Sequence, residues 1–234
     1  MTLEGTNTYV LRRPDADGAI VVDPGPLDEV HLAAVAQRGP VHLILLTHGH
    51  PDHAEGARLF QEMTGAPMTA VDPAYAVEER PLTGAASFDG AGGLSVRVLG
   101  TPGHTADSVS FLVEDDEPAV LTGDTVLGRG STVVAHPDGQ LGPYLDSLSR
   151  LQELGPITLL PGHGPVQPDA GAMARGYLAH RAQRLDQVRA ALAAGARTPE
   201  DVVRRVYSDV DRALWPAAEL SVRAQLDYLG EPTP

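Results

Sequence analysis

Four consecutive apolar residues, Leu43, Ile44, Leu45 and Leu46, lead straight into THGHPDH, so that His48, His50, Asp52 and His53 form the pattern H-x-H-x-D-H immediately behind them. A short, unbroken apolar run reads as a buried strand. The polar cluster then sits where a strand gives way to a loop, the position at which α/β proteins keep their chemistry. The chain has only 9 histidines in 234 residues. Composition alone would produce this pattern with a chance on the order of one in a thousand, so it is read as a motif. A lone histidine is usually a satisfied polar contact; four ligand-type side chains within six positions are not.

Imidazole and carboxylate groups suit zinc or another first-row metal. Histidines at i and i+2 of an extended segment point the same way and can share one ion. Asp52 and His53 come after the turn and reach a second. Three further strands end the same way. TPGHT places His104 behind strand 94–99, LTGD places Asp124 behind strand 119–122, and LLPGHG places His163 behind strand 157–160. Such ends can converge on one rim of a single parallel or mixed sheet. Seven ligands are too many for one tetrahedral ion and suit two, with a bridging carboxylate and a water or hydroxide between them. Asp124 is the expected bridge, because a carboxylate offers two oxygens.

Around these strand ends the chain alternates strand and helix to about residue 168. Strands are read at TNTYVLRR, AIVV, MTAVD and 108–113, and helices at 28–39, 54–65 and 143–155. From residue 170 the pattern turns helical: an alanine- and arginine-rich segment to 194, TPEDVVRRVY with Thr198 as N-cap and Pro199 in the first turn, and LSVRAQLDYL. The expected organisation is therefore a catalytic domain over 1–168, a connecting helix over 169–195 and a small C-terminal domain over 196–234.

Charge and composition narrow the function classes. All 17 basic residues are arginine and the net charge is −14. Residues 1–168 hold 8 Arg against 22 Asp and Glu, whereas residues 169–234 hold 9 of each. An acidic body disfavours non-specific nucleic-acid binding and suits a site that neutralises cations. There is no cysteine, which excludes disulfides and thiolate ligands. No window approaches the roughly 18 apolar residues of a membrane span. The N-terminal stretch lacks the basic-then-apolar order of a signal peptide, so a cytoplasmic location is expected.

Outside the seven, Asp23 in IVVDPGP is read as support for a metal histidine in preference to a turn cap. Arg129, Ser131 and Thr132, just past Asp124, are candidates to hold an anionic substrate, and His136 is a candidate lining residue. His31, His42 and His180 are read as structural.

His48, His50, Asp52, His53, His104, Asp124 and His163, in this order, resemble the metallo-β-lactamase fold superfamily over residues 5 to 168. With no cysteine, the set is similar to the glyoxalase II and RNA-processing branches. LEGTNTYV, GDTVLGRGSTVV and the tail after PGHGP resemble the beta-lactamase-like protein 2 group, whose members carry a winged-helix-like C-terminal domain. The chain departs from that group in having Gly49, where a bulky residue is usual, and in the short segment before GTNTY, which predicts a missing edge strand. The resemblance implies an αββα sandwich: two mixed sheets flanked by helices, followed by a small helical C-terminal domain. It implies two zinc ions, one held by His48, His50 and His104, the other by Asp52, His53 and His163, with Asp124 between; manganese or iron suits the same ligands.

The expected activity is metal-dependent hydrolysis by a hydroxide bridged between the two ions, with Asp52 orienting it and Asp124 bridging. Single-stranded RNA is the first expected substrate and a thioester the alternative. Characterised relatives implied by the resemblance cleave single-stranded RNA; the glyoxalase II type hydrolyses a thioester, with a small-molecule ester or thioester as partner. A third expectation is a non-enzymatic metal sensor whose tail binds DNA. The 9-to-9 charge balance of the tail argues against it. The tail is instead expected to pack over the catalytic pocket or against a second subunit in a homodimer, with Trp215 as its apolar anchor.

Overall fold

The computed structural model describes residues 5–83 and 86–231. Two sheets stack face to face. The first carries β1 (Tyr9–Leu11), β2 (Ala19–Val22), β3 (Val41–Leu45) and β4 (Met68–Thr69) in that order. Its β1 and β2 run antiparallel, and β2, β3 and β4 are parallel. The second holds β5 (Ser87–Gly90), β6 (Leu94–Gly100), β7 (Val109–Glu114), β8 (Ala119–Gly123) and β9 (Thr158–Pro161), antiparallel except for the parallel pair of β8 and β9. Because β7 runs against both β6 and β8, the strands β6, β8 and β9 all finish at the same end of their sheet.

The period-2 alternation of each strand sorts its side chains between layers. Ile20, Val22, Leu43 and Leu45 face Val96, Val98, Phe111, Val113 and Leu121 across the inter-sheet core. Val21, Ile44 and Leu46 point outward, against Leu32 of α1 (Glu29–Ala36) and Ala57 and Phe60 of α3 (Ala57–Thr64). On the far side Leu112, Val120 and Leu159 meet Tyr144, Leu148 and Leu151 of α4 (Leu141–Glu153). The αββα sandwich expected above is thus present. The near-continuous apolar strands reflect burial on both faces.

Past β9, α5 (Ala170–Ala193), α6 (Pro199–Val206) and α7 (Trp215–Tyr228) follow, so the C-terminal region is helical. The expected cap of α6 is present: the Thr198 hydroxyl accepts from Asp201 N while the Asp201 carboxylate accepts from Thr198 N. One helix serves two cores. Ala170, Ala174, Tyr177 and Leu185 of α5 belong to the core under α4, whereas Val188 and Ala191 belong to a separate core with Val202, Val203, Val206, Val222 and Leu226. Trp215 only flanks that second core and remains half-buried, so Val222 and Leu226 are its anchors instead.

Several local expectations are corrected. The single sheet rim becomes the shared rim of two sheets. The segment 87–90 is a strand, too short for its alternation to show in the sequence. MTAVD contributes only Met68–Thr69, and TNTYVLRR only Tyr9–Leu11. The loop after His50 holds a one-turn helix, α2 (Pro51–Ala54), started by Pro51 at its first position. Finally, α7 begins at Trp215, where Pro216 fits the first turn of a helix.

Candidate metal centre

The seven side chains meet at the rim where the two sheets finish. From the first sheet, β3 runs into His48 and His50, and His50 is still extended (φ −63°, ψ 143°). The turn of α2 then swings Asp52 and His53 inward. From the second sheet, His104, Asp124 and His163 follow β6, β8 and β9. His48, His53, His104, Asp124 and His163 are buried, while His50 and Asp52 are half-buried.

The ligand atoms form two groups. His48 Nε2 and His104 Nε2 each lie 3.0 Å from His50 Nδ1. In the other group, His163 Nε2 is 3.3 Å from His53 Nε2 and 3.2 Å from an Asp52 carboxylate oxygen. Asp124 spans both: Oδ1 is 3.4 Å from Nε2 of His53 and of His163, and Oδ2 is 3.7 Å from Nε2 of His104. Within each set of three, the ligand atoms lie within 4.8 Å of one another. Gly162 makes this approach feasible, since a Cβ there would stand 2.5 Å from Asp124 Oδ1 and 2.8 Å from His53 Cε1.

What holds each ring decides which nitrogen faces the centre. His53 Nδ1 donates to Asp23 Oδ2 at 2.8 Å. His104 Nδ1 donates to the Val133 carbonyl at 2.6 Å, and His163 Nδ1 to the Gly5 carbonyl at 2.9 Å. Thr47 Oγ1 gives its proton to Asp23 Oδ2 at 2.7 Å and so accepts from His48 Nδ1 at 3.0 Å. Four Nε2 lone pairs therefore point into one small space, beside a buried Asp124 Oδ1 that lacks a hydrogen bond. Such a set needs cations, or shared protons in their place.

The electrostatics agree. Burial holds His48 well below the usual histidine range, helped by the neighbouring rings of His53 and His104. Burial also lowers His104. For His53, burial acts downward, but the carboxylates of Asp23 and Asp124 override it and push the ring up to about 10. His163 is likewise raised to about 10, against burial, by Asp124 and Asp52. Burial would raise Asp124, but His163 and His53 keep it well below the carboxylate range. Protons thus gather on the two rings nearest the carboxylates, where a cation would displace them.

Asp23 sits as the sequence suggested. It is 2% exposed, adopts φ 51°, and accepts from Thr47 N at 2.8 Å as well as from His53. Thr132 is buried with its hydroxyl 3.4 Å from His104 Nδ1, so it backs the ring and does not face the open side. Arg129 and Ser131 are exposed; Arg129 lies beside Gly164, next to His163. His136 is half-buried and joins none of the ligand groups. Sequence reasoning missed Thr47, which ties His48 to Asp23, and Thr6, whose hydroxyl donates to Asp52 Oδ2 at 3.2 Å. Thr47 had a signal in its place beside the motif; the Gly5 and Val133 carbonyls had none, since a backbone acceptor carries no residue identity.

Residues 1–163 match the model of the metallo-beta-lactamase superfamily, and residues 198–231 match the beta-lactamase associated winged helix domain. The chain is 32% identical to the beta-lactamase-like protein 2 homolog of Drosophila melanogaster, over 98% of this chain and 83% of that one. It is 32% identical to an atrochrysone carboxyl ACP thioesterase of Aspergillus fumigatus, over 88% of this chain and 70% of that one. A metallo-beta-lactamase family protein from Thermus thermophilus superposes with a TM-score of 0.78 at 24% identity, covering 96% and 88% of the two chains. A structure solved in a di-iron-bound form matches at 29% identity with a TM-score of 0.58, over 73% of this chain and 92% of that one. With both sheets, the ligand-bearing rim and the helical tail accounted for, the chain belongs to the metallo-beta-lactamase superfamily and ends in a beta-lactamase associated winged helix domain.

Proposed function

We propose that the chain is a hydrolase that works with two divalent cations and acts on an acyl thioester. The observation behind the two-cation reading is the span of Asp124, with Oδ1 toward His53 and His163 and Oδ2 toward His104. His48, His50 and His104 would hold one ion, and Asp52, His53 and His163 the other, with Asp124 common to both. Bound there, the pair supplies a Lewis acid for the electrophile's oxygen and a hydroxide nucleophile near neutral pH. The nitrogen-rich donor set suits zinc, and the same set accepts iron or manganese.

The chain's own groups hold this arrangement and handle protons. Asp23, Thr47, Val133 and Gly5 fix four ring orientations before substrate arrives, so little reorganisation is left for the reaction. The Asp52 side chain is 20% exposed, against 10% for Asp124 and 3% for Asp23. It is the carboxylate open to solvent, and its Oδ2, steadied by Thr6, is placed to orient the attacking water and take its proton. With no cysteine in the chain, a thiol nucleophile is excluded.

The thioester is favoured over RNA by charge and by the Aspergillus relative's name. Asp107 Oδ2 stands 3.3 Å from the point a Cβ on Gly49 would occupy, between the first two histidines. Asp138 accepts from Ala106 N two residues past His104. A polyanionic strand would meet both carboxylates and an acidic body, a repulsion that grows with every phosphate; a small thioester conjugate carries about one net negative charge and meets less of it. Cleavage of single-stranded RNA is the second reading, supported by likeness to the beta-lactamase-like protein 2 homologue across nearly the whole chain. The test is to offer S-lactoylglutathione and a labelled RNA oligomer to the metal-loaded protein side by side. Turnover of the thioester alone supports the first reading. Turnover of RNA alone replaces it by the second.

A further inference from the structure

We propose that Arg181, on α5 of the tail, is a positioning residue for the metal site and acts on His104 through residues 132–134; the inference rests on the metal reading above. The His104 ring is held by a segment without regular structure, through the Val133 carbonyl at 2.6 Å and the Thr132 hydroxyl at 3.4 Å. Irregular backbone is only as rigid as its attachments. Here the attachments come from the tail. Arg181 Nη2 donates to the Thr132 carbonyl at 2.5 Å, and Val134 N donates to Ser221 Oγ of α7 at 3.3 Å. Further back, Leu127 N donates to the Tyr177 hydroxyl of α5 at 3.0 Å. The two bonds nearest Val133 thus flank it on either side, one from each of two tail helices.

Arg181 is an expensive way to make this contact. It is 3% exposed, its guanidinium lies 5.0 Å from the centre of the Tyr144 ring, and its Nε has no hydrogen-bond partner among the described residues. No carboxylate among the described residues pairs with it. A buried cation without a counter-charge costs stability, and an apolar side chain would fill the same space at less cost. What an apolar side chain cannot do is hold the Thr132 carbonyl from a rigid, planar fork. The helical tail thereby enters the site as the support of one metal ligand, through Arg181 of α5 and Ser221 of α7, with no residue of its own among the seven.

The full-length chain with Arg181→Met, Arg181→Lys or Ser221→Ala would be titrated with zinc against a competing chelator. Visible spectra of the cobalt(II)-loaded proteins and melting of the metal-stripped proteins would be recorded in parallel. The expected result for Arg181→Met is a loss of about 10- to 100-fold in affinity for one of two ions, as for a residue that orients a ligand. Its cobalt spectrum should change, and Arg181→Lys, which can still donate to the carbonyl, should recover part of both. A folded Arg181→Met protein with wild-type affinity and spectrum overturns the proposal. If Arg181→Met does not fold, Arg181→Lys decides, since it keeps the charge and loses the planar fork: unchanged affinity and spectrum overturn the proposal and a partial loss of both supports it. A changed spectrum in Ser221→Ala, which removes the α7 acceptor of Val134 N, supports the same route. Wild-type protein that takes up no cation would overturn the metal reading itself.

Discussion

Asp23 and His53 form a buried pair beneath the site, with the carboxylate Oδ2 accepting the ring Nδ1–H at 2.8 Å and the two side chains 3% and 0% exposed. The same oxygen accepts from Thr47 Oγ1, and Thr47 Oγ1 in turn accepts the hydrogen bond of His48 Nδ1–H. One carboxylate therefore orients a ring in each of the two ligand groups.

Asp23→Ala should weaken binding of both ions by about 10- to 100-fold each, with Asp23→Asn milder because its amide oxygen can still accept. Chelator competition measures this. The metal-stripped Ala variant should also lose about 1–3 kcal/mol to urea, because the buried Thr47 N–H and hydroxyl would lack their acceptor. Loss at one ion alone would separate the two groups that Asp23 is argued to join.

Cation affinity should rise with pH. His53 and His163 have raised values of about 10 in the metal-free site, against 6.5 for an ordinary histidine. Their protonation stabilises the metal-free fold fully below 6.5, and this contribution fades as pH rises through about 10. The lowered His48 acts in the opposite sense, its contribution being lost as pH falls below 6.5. With both rings raised to about 10, a cation must displace a proton from each, so binding should release about two protons per chain near neutral pH. Calorimetry in buffers of different ionisation enthalpy counts them, and a release of zero would show both rings neutral.

Gly162→Ala tests the closeness of the cage. The added methyl would lie 2.5 Å from the buried Asp124 Oδ1 and 2.8 Å from Cε1 of His53, whose ring is tied to Asp23. Overpacking of this kind costs about 1–3 kcal/mol, and here the strain falls on two ligands. Metal content after dialysis should drop below that of the parent. Full retention would mean that the rim yields more readily than its burial indicates.

Leu226→Ala addresses the tail. Leu226 is 2% exposed in the small core with Val202, Val203 and Val222. The truncation should cost about 2–5 kcal/mol. Hydrogen exchange should accelerate in α6 and α7 while β6 to β8 stay protected. An equal acceleration everywhere would show one cooperative unit.

The ligands are legible in the sequence because each is a side chain of distinctive chemistry placed just past an apolar strand. His104, Asp124 and His163 need no more than that. Two kinds of information are not legible. Strands buried on both faces, such as Leu43–Leu45, do not reveal which sheet they join, so a rim shared by two sheets reads as that of one. Supports also act through the backbone: Val133 and Gly5 contribute carbonyls that any residue would supply. Arg181 looks like one of nine arginines in a helical tail, and only its burial against Tyr144 sets it apart.

The helix α5 has a consequence for how the molecule comes into being. Its first half completes the outer layer over β8 and β9, although every strand of the sandwich ends by Pro161. During synthesis the front unit must therefore wait, its last apolar layer uncovered, until Leu185 has cleared the ribosome. A nascent chain arrested after residue 168 should remain protease-sensitive where one arrested well beyond α5 resists, which makes the tail part of the timetable of its neighbour's folding.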